Sequence, residues 1–470
     1  MASKQQCQIL HRWAGLLLAF TLLGAACAGS DQQAAPETTV EANQPQPTNA
    51  PTDSPTTSQT SPPPSAAAVL TASFRGVTAD TITIGAVSPD FDELRTLGLV
   101  DLNLGDQELV VQSLIDDLNE RGGINGRRVE LKWRPYSLLG GQDAARVCIE
   151  LTKDVELFAV VSAFISFASS SNACILENTM IVGGIPEVEI IETAEAPWVT
   201  SAMSSDRVLR GVLRLADLEG MFDGKRVAVT ISAAEIALLE DSVRPELEAL
   251  GIEVVVETVL DVASGDVVAA NAQYAVFNEI YRAEEIDLLL SVGTSVAFVI
   301  QQLRADGLDT TVLSVDSGLA LIGATATGAD AEVLAGTVGS MLLSDEQLWT
   351  QPGFLRCVEV LEAADPSIKV VPSGEVPEGD PDWQTPVRGA CGQVALFEQG
   401  AIAAGSELTH DSFVAGAISL GDGVEMPTIP FASLGVDKLD AGDSLQLGVF
   451  DPKVGLNGGM RPIAEVVDLG

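Results

Sequence analysis

The chain has 470 residues, enough for two or three domains, and carries 66 Asp and Glu against 25 Lys and Arg, a formal net charge of −41 at pH 7. A field of that sign repels nucleic acids and anionic lipid surfaces, so the charge argues against both as partners. It is compatible with a solvated acidic surface, a cationic ligand or adaptation to salt, and it does not choose among them.

The first 26 residues have the pattern of a secretory signal peptide. Lys4 and Arg12 precede an apolar stretch over residues 13–23, and small residues then lead to Cys27. The apolar stretch is shorter than the ~20 residues of a membrane-spanning helix. Cys27 occupies the place of the lipidated cysteine in bacterial lipoprotein signals, although Gly24 stands where those signals usually carry Leu. We predict cleavage after residue 26 and a lipid on Cys27, with ordinary secretion as the alternative, and therefore a protein outside the cytoplasm.

Residues 27–69 are rich in Pro, Thr, Ser, Gln and Ala and have almost no large apolar side chains. Such a composition cannot bury enough surface to offset the entropy of ordering, so we predict a disordered tether.

Strands and helices alternate in a first block that begins near Leu70. Apolar runs predict strands at 81–87, 128–133, 158–161 and 180–182. Helices are predicted between them, over 106–121, 142–153 and 168–178. The first has apolar residues at helical spacing, Asp106 as its start signal and Gly122-Gly123 as its stop.

The alternation repeats in a second block after Trp198. Strands are predicted at 225–230, 252–256, 286–292 and 311–315. Helices are predicted near 239–250, 269–282 and 296–305, with Pro245 either kinking the first of these or lying near its start. Apolar strands alternating with helices indicate parallel sheets covered on both faces, and two blocks indicate two such domains.

Ligands of open parallel sheets bind beyond the carboxyl ends of the strands. The loops of interest therefore follow Val87, Val161, Val182, Thr230, Val292 and Val315.

Four cysteines remain beyond Cys27, an even set that indicates disulfides in an exported protein: Cys148, Cys174, Cys357 and Cys391. Three connectivities can be drawn, and we favour Cys148–Cys174 with Cys357–Cys391 because each pair is local. Their spacing fits no zinc motif. The only histidine after the leader, His410, is expected to be a surface or capping residue, so we predict no metal and no cofactor.

Several segments together resemble branched-chain-amino-acid-type substrate-binding proteins, the type I periplasmic binding proteins that feed ABC importers. They are Asp80–Gly85, the Asn119–Arg127 segment with its Gly-Gly-Ile-Asn-Gly turn, Phe158–Ser162, Pro197-Trp198-Val199 with Ser205-Asp206, Lys225–Val229, and Ser314–Gly318. The resemblance implies an α/β fold of two Rossmann-like lobes with parallel sheets, joined by a three-stranded hinge with crossings near residues 203, 345 and 445. Lobe 1 would then comprise 70–203 and 345–445, and lobe 2 would comprise 204–344 and the return at 446–470.

The same resemblance implies capture of an amino acid or similar small polar solute between closing lobes, delivery to an ABC permease, a monomeric state and no catalysis. It places a carboxylate-gripping serine at Ser166, where a helix cap is the competing explanation, and an ammonium-binding acid at Asp316. The predicted ligand contacts are Ser88, Asp90, Ser166, Phe167, Glu187, Glu189, Thr294 and Asp316.

Two departures from the resemblance bear on the ligand. Glu187 and Glu189 stand where further carboxylate contacts usually occur, which favours a cationic group, a polyol or an amide instead. The usual cleft tyrosines are replaced near Ile236 and Ser295. A sensor domain on the same fold remains an alternative function, and an extracellular enzyme using Glu187 and Glu189 as acid and base is a weaker one.

Overall fold

The structure, a computed structural model, describes residues 70–165, 168–262, 266–293, 296–315, 321, 324–325, 329–341, 343–455 and 458–470, apart from the side chains of 188–189. Residues Leu70–Gly470 form one compact unit. Cys27, Ser166, Phe167, Thr294 and Asp316 lie outside the described residues.

The first sheet contains five parallel strands in the spatial order β2-β1-β3-β4-β5. They are β1 (Thr81–Pro89), β2 (Arg128–Tyr136), β3 (Ala159–Val160), β4 (Met180–Val182) and β5 (Trp198–Val199).

The second sheet has the order β12-β11-β10-β9-β8-β6-β7. Its strands β6 to β10 are parallel, and β11 pairs antiparallel with both β10 and β12 at one edge. Its strands are β6 (Val227–Ser232), β7 (Val254–Leu260), β8 (Leu288–Ser291), β9 (Thr311–Ser314), β10 (Val338–Met341), β11 (Ser444–Asp451), β12 (Gly459–Pro462) and β13 (Val467–Asp468), which pairs with β11.

The α-helices of the described residues follow the alternation expected from the sequence. In chain order they are α1 (Phe91–Thr96), α2 (Gln107–Glu120), α3 (Gly141–Ile149), α4 (Ser171–Ile175), α5 (Val188–Ile191), α6 (Ser205–Leu218), α7 (Ile236–Leu238), α8 (Arg244–Leu250), α9 (Val267–Ala283), α10 (Val296–Ala305), α11 (Ala331–Leu334), α12 (Asp345–Leu348), α13 (Pro352–Ala364), α14 (Gln384–Ala403) and α15 (His410–Leu420).

Helix α2 shows how the sequence specifies an element. The Asp106 carboxylate accepts a hydrogen bond from Leu109 N at 3.0 Å, which confirms Asp106 as the N-cap. The helix ends at the predicted glycine pair, where Gly123 has a φ of +66° and a Cβ would lie 2.0 Å from the carbonyl oxygen of Arg127. Only glycine fits this turn.

Each sheet is covered by apolar clusters on both faces. In the first lobe, α2, α13, α14 and α15 cover one face, and α3 and α4 cover the other. In the second lobe, α6 and α8 cover one face, and α9, α10 and α11 cover the other. Because buried side chains from Leu343 to Ala441 belong to the core of the first lobe, each lobe is built from two separate stretches of chain.

Within the described chain, the backbone passes from lobe to lobe between Val199 and Ser205, between Met341 and Asp345, and between Asp440 and Ser444. The first and third passages lie side by side, since Thr200 and Asp440 form a parallel bridge. Two Rossmann-like lobes with parallel sheets confirm the predicted fold class.

Both predicted cysteine pairs lie at disulfide-bonding distance, with Cα–Cα separations of 6.3 Å for Cys148–Cys174 and 6.0 Å for Cys357–Cys391. The first pair joins α3 to α4, and the second joins α13 to α14.

The prediction for His410 as a surface or capping residue is wrong. The cap of α15 is Thr409, and His410 is only 9% exposed, with Nε2 at 2.8 Å from the carbonyl oxygen of Phe158 and its ring 4.5 Å from that of Phe74. The first turn of α15 packs against the segment that enters β3, so this face of the helix is interior.

Three predicted helices are shorter in the structure. The helix expected over 142–153 is α-helical over Gly141–Ile149 and continues as a π-helix over Glu150–Asp154. The helix expected over 168–178 covers only Ser171–Ile175, and the Asn172 side chain within it is bonded to the backbone of Phe164. The helix expected over 239–250 is split into a wide π turn at 239–243 and α8, since Pro245 has no N–H to continue the helical bonds.

Candidate functional site

The carboxyl ends of the two sheets face each other across a cleft. Each of the three passages joins the carboxyl edge of one sheet to the carboxyl edge of the other. The first leads from β5 into the start of α6, and the second leads from β10 into α12. The third leads from Asp440 into β11, whose Gln446 pairs with Met341 at the end of β10. The parallel strands of both lobes therefore point at the same space, which is where ligands bind in such sheets.

A buried ionic cluster fixes the hinge side of this cleft. Arg207, at the start of α6, donates to Asp440 Oδ2 at 2.8 Å and to Asp443 Oδ1 at 2.5 Å. Asp443 is 1% exposed and also accepts hydrogen bonds from Ser433 Oγ at 2.6 Å and from Lys438 Nζ at 3.2 Å, and its Oδ1 lies 2.9 Å from the same Nζ. Burial opposes the charge, but the hydrogen bonds from Ser433, Arg207 and Lys438 outweigh it and lower the pKa of Asp443.

Ser88 and Asp90 lie at the end of β1, and both side chains form hydrogen bonds within the protein. Ser88 is buried, and its Oγ donates to Oε1 of Gln107 at 2.8 Å, which ties β1 to the start of α2. The Asp90 carboxylate accepts from Glu93 N at 2.9 Å and caps α1. Their predicted contact with a ligand would have to coexist with these bonds.

The loop after β3, which leads to Ser166 and Phe167, is held by side chains that the sequence analysis did not single out. Asn172 accepts from Phe164 N at 2.9 Å and donates to Phe164 O at 3.0 Å. The Tyr136 hydroxyl accepts from Ile165 N at 2.9 Å, and burial raises the pKa of Tyr136 to about 12, so the group stays neutral.

Glu187 is exposed and precedes α5, whose Ile190 and Ile191 N–H groups donate to its carbonyl oxygen. Residues 187 and 189 therefore do not lie on a strand. The side chain of Glu189 is not among those described.

On the second lobe, Thr294 and Asp316 fall outside the described residues, but Gly293, which precedes Thr294 in the chain, is described. A Cβ on Gly293, whose φ is +89°, would lie 2.1 Å from Oε2 of Glu235. The Glu235 carboxylate thus lies against the loop that follows β8. Sequence reasoning named the loop after Thr230 as a cleft loop but did not select Glu235 within it.

Arg388, on the second turn of α14, lies beside the second passage, and the sequence analysis did not select it. Its Nη1 donates to the carbonyl oxygen of Leu343 at 3.2 Å. Burial lowers the pKa of Arg388 to about 10, although Asp345 opposes this. The guanidinium is therefore still charged at neutral pH.

Among the described residues, no group of three or more His, Cys, Asp or Glu side chains could hold a metal ion. None of the helices in that part of the chain is both long and apolar enough to cross a bilayer. An open groove of about 490 Å³ runs along the edge strand β5, lined by Trp198, Val414 and Ile418, and lies outside the cleft.

Neither a protein-family model nor a curated protein matches the sequence. Solved structures do match the fold. One is a fatty acid ABC transporter substrate-binding protein from Thermomonospora curvata, with 17% identity, a TM-score of 0.54, and coverage of 84% of this chain and 94% of that one.

A leucine binding protein from Thermotoga maritima matches with 14% identity and a TM-score of 0.55, over 82% of this chain and 98% of that one. A solute binding protein of an ABC transporter from R. palustris, in complex with 4-hydroxybenzoate, matches with 13% identity and a TM-score of 0.55, over 83% and 98%. These likenesses show the type I periplasmic binding protein fold that the sequence resemblance implied.

Proposed function

We propose that the protein is the extracytoplasmic solute-binding component of an ABC importer, which captures a small polar solute between its lobes and delivers it to a permease. The observation that carries this is the arrangement of two parallel sheets whose carboxyl ends face one cleft and are joined by a narrow hinge. Hinge closure on a ligand is the motion that such an arrangement permits.

The solved structures support the proposal, because two of those named above are binding proteins of ABC transporters, one for a fatty acid and one in complex with 4-hydroxybenzoate, and the third is a leucine binding protein. An amino acid remains one candidate ligand among such small solutes. The sensor alternative has no observation that favours it, and we propose no catalytic activity.

The proposal includes the location and the ligand contacts predicted from the sequence. Residues 1–26 would be a cleaved leader, Cys27 a lipid anchor and 27–69 a tether that lets a monomeric binding unit reach its permease. Lobe 1 would comprise 70–203 and 345–445, and lobe 2 the remainder. The ligand would contact Ser88, Asp90, Ser166, Phe167, Glu187, Glu189, Thr294 and Asp316.

A ligand screen tests the proposal. Thermal shift against amino acids, amides, polyamines, sugars, fatty acids and benzoates should give a selective rise in melting temperature, since a ligand at 100-fold above Kd stabilises the folded state by ~2.7 kcal/mol. X-ray scattering should then show a smaller radius of gyration with that ligand. A ligand that binds without compaction would contradict capture by closure.

One variant tests the predicted contacts. Asp316→Ala should weaken binding of an ammonium-bearing ligand by about 1.5 kcal/mol or more, the lower value for losing a hydrogen bond to a charged group. Calorimetry measures this, with Asp309→Ala as the control because the Asp309 side chain is fully exposed. Equal affinities of the two folded variants would remove Asp316 from the site.

A further inference from the structure

Arg388 differs from the other described arginines in what it contacts. Acids outnumber bases in this chain by 66 to 25, and most described arginines have a carboxylate within ion-pair distance. Among the described residues, Arg388 has none. Its Nη2 is buried without a hydrogen-bond partner, and its one hydrogen bond to a described residue, from Nη1 to Leu343 O, is long at 3.2 Å.

Two other part-buried or buried arginines also lack an acid partner, and they show what a purely structural role looks like here. Arg75 donates to two carbonyl oxygens at 2.7 and 2.6 Å. Arg127 donates to three carbonyl oxygens at 2.8, 3.0 and 2.8 Å. Both lie near the amino ends of the first sheet, where Arg127 follows the turn that enters β2, and their carbonyl partners hold the charge. Each also has one buried nitrogen without a partner, Arg75 Nε and Arg127 Nη1, but its other nitrogens bond to two or three carbonyl oxygens, whereas Arg388 has one acceptor among the described residues.

The position of Arg388 is at the cleft. Further along α14, Gln393 packs against Gly183 at the carboxyl end of β4, since a Cβ on Gly183 would lie 2.7 Å from Cγ of Gln393. Arg388 lies five residues nearer the helix start, about 7.5 Å along the axis at 1.5 Å per residue. The helix runs alongside α2 and begins at the carboxyl edge of the sheet, where Trp383 packs on Gly105. Arg388 is therefore beyond the strand ends, beside the passage at Leu343.

The nearest acid does not neutralise this charge by contact. Asp345 is engaged elsewhere: Oδ1 accepts from Gln384 Nε2 at 2.7 Å, and Oδ2 accepts from Gly374 N at 3.3 Å. A buried cation without a partner is unfavourable, whereas the same cation with an anion and good hydrogen-bond geometry is stabilised. A group that enters the cleft can supply that anion.

We propose that Arg388 is the anion-binding residue of the cleft and that the solute carries a carboxylate. Nη2 is closed to solvent in this structure, so the carboxylate accepts hydrogen bonds from the guanidinium after movement of the lobes opens a path to it. This inference rests on the proposed function and narrows its ligand to organic carboxylates. Glu187, which the sequence analysis set against such a ligand, is exposed, so solvent screens its charge.

The test compares carboxylates with their neutral amides: leucine with leucinamide, octanoate with octanamide, and 4-hydroxybenzoate with 4-hydroxybenzamide. Calorimetry on the purified protein should show one carboxylate binding at least tenfold more tightly than its amide. Arg388→Gln should lose roughly 10- to 100-fold of the carboxylate affinity and leave the amide affinity unchanged. Arg388→Lys, which keeps the charge, should retain part of the preference.

Stability separates a binding role from a structural one. Without ligand, Arg388→Gln should melt at or above the wild-type temperature, because it removes a part-buried charge whose Nη2 has no partner. Arg128→Gln, at an exposed arginine, is the matched control. A lower melting temperature of Arg388→Gln, with the carboxylate preference retained, overturns the proposal.

Two further outcomes distinguish this inference from the proposed function. Wild-type protein that binds only neutral or cationic solutes overturns the inference and leaves the proposed function standing. Wild-type protein that binds no solute overturns the proposed function. In that case sodium formate tests the anion site. Wild type should have a higher melting temperature in sodium formate than in sodium chloride of the same ionic strength, whereas Arg388→Gln should have the same melting temperature in both salts. An equal response of the two proteins to formate overturns the anion site.

Discussion

The hinge cluster around Asp443 should contribute measurably to the free energy of unfolding. Asp443→Asn keeps the shape of the side chain but removes the charge that Arg207 and Lys438 approach at 2.5 and 2.9 Å. Removing one partner of a buried ion pair costs about 3–5 kcal/mol, because the remaining charges stay buried without compensation. The unfolding entropy is about 2.1 cal/mol/K per residue, summed over the compact unit Leu70–Gly470. Dividing the loss of stability by this entropy gives a decrease in melting temperature of roughly 4–6 °C.

Calorimetry at pH 7 measures the effect, and Asp92→Asn is the matched control. Asp92 pairs with Arg95 on the surface, with side chains 72% and 42% exposed, so its loss should leave the melting temperature almost unchanged. Equal melting temperatures for the two variants would refute the reasoning that the hinge cluster is a stabilising unit.

The pH dependence of the same variant has a definite sign. The pKa of Asp443 is lower in the folded protein than its ordinary value of 3.8, so the stabilisation is complete above that value and is lost as the pH falls through the folded pKa. The gap in stability between wild type and Asp443→Asn should therefore be constant from pH 5 to 7 and shrink below about pH 4.

Three further predictions concern the scaffold. Gly123→Ala should destabilise the protein by at least about 1 kcal/mol in urea titrations, because of its positive φ and the contact with Arg127 O; an unchanged midpoint would contradict this geometry. Burial lowers the pKa of His410, so the unfolded chain binds the proton more readily and wild type should lose stability as the pH falls below about 6.5. That decline should be smaller in His410→Gln, and parallel pH profiles would count against it. Replacing Cys357 and Cys391 together by serine should cost about 2–4 kcal/mol in guanidinium titrations, and a cost near zero would show that the bond does not restrict the unfolded chain.

The strands and most helices could be predicted because local patterns carry them. The cap at Asp106 and the stop at Gly122-Gly123 are properties of a few adjacent residues, and the structure has both. Apolar runs predicted β4 at its observed bounds, Met180–Val182, and the helical spacing predicted α10 over Val296–Ala305. Local signals suffice where one element alone decides the conformation.

The candidate site was less predictable, because its parts come from distant segments. Arg388 reaches the cleft only after the chain has returned to the first lobe, and its neighbour Leu343 is 45 residues away in sequence. His410 was assigned to the surface because its contact with Phe158, 252 residues away, leaves no local trace. Packing between remote elements, and not periodicity, decides these positions.

A part-buried cation in a strongly negative molecule has a consequence for binding kinetics. At a distance, a carboxylate experiences the repulsion of a chain with a net charge of −41, and only within the cleft does it experience the attraction of Arg388. Salt screens the long-range field over about 10 Å at 0.1 M but reaches a desolvated contact much less. Added salt should therefore speed the arrival of an anionic solute while its residence time changes little, the opposite of what a cationic solute would show.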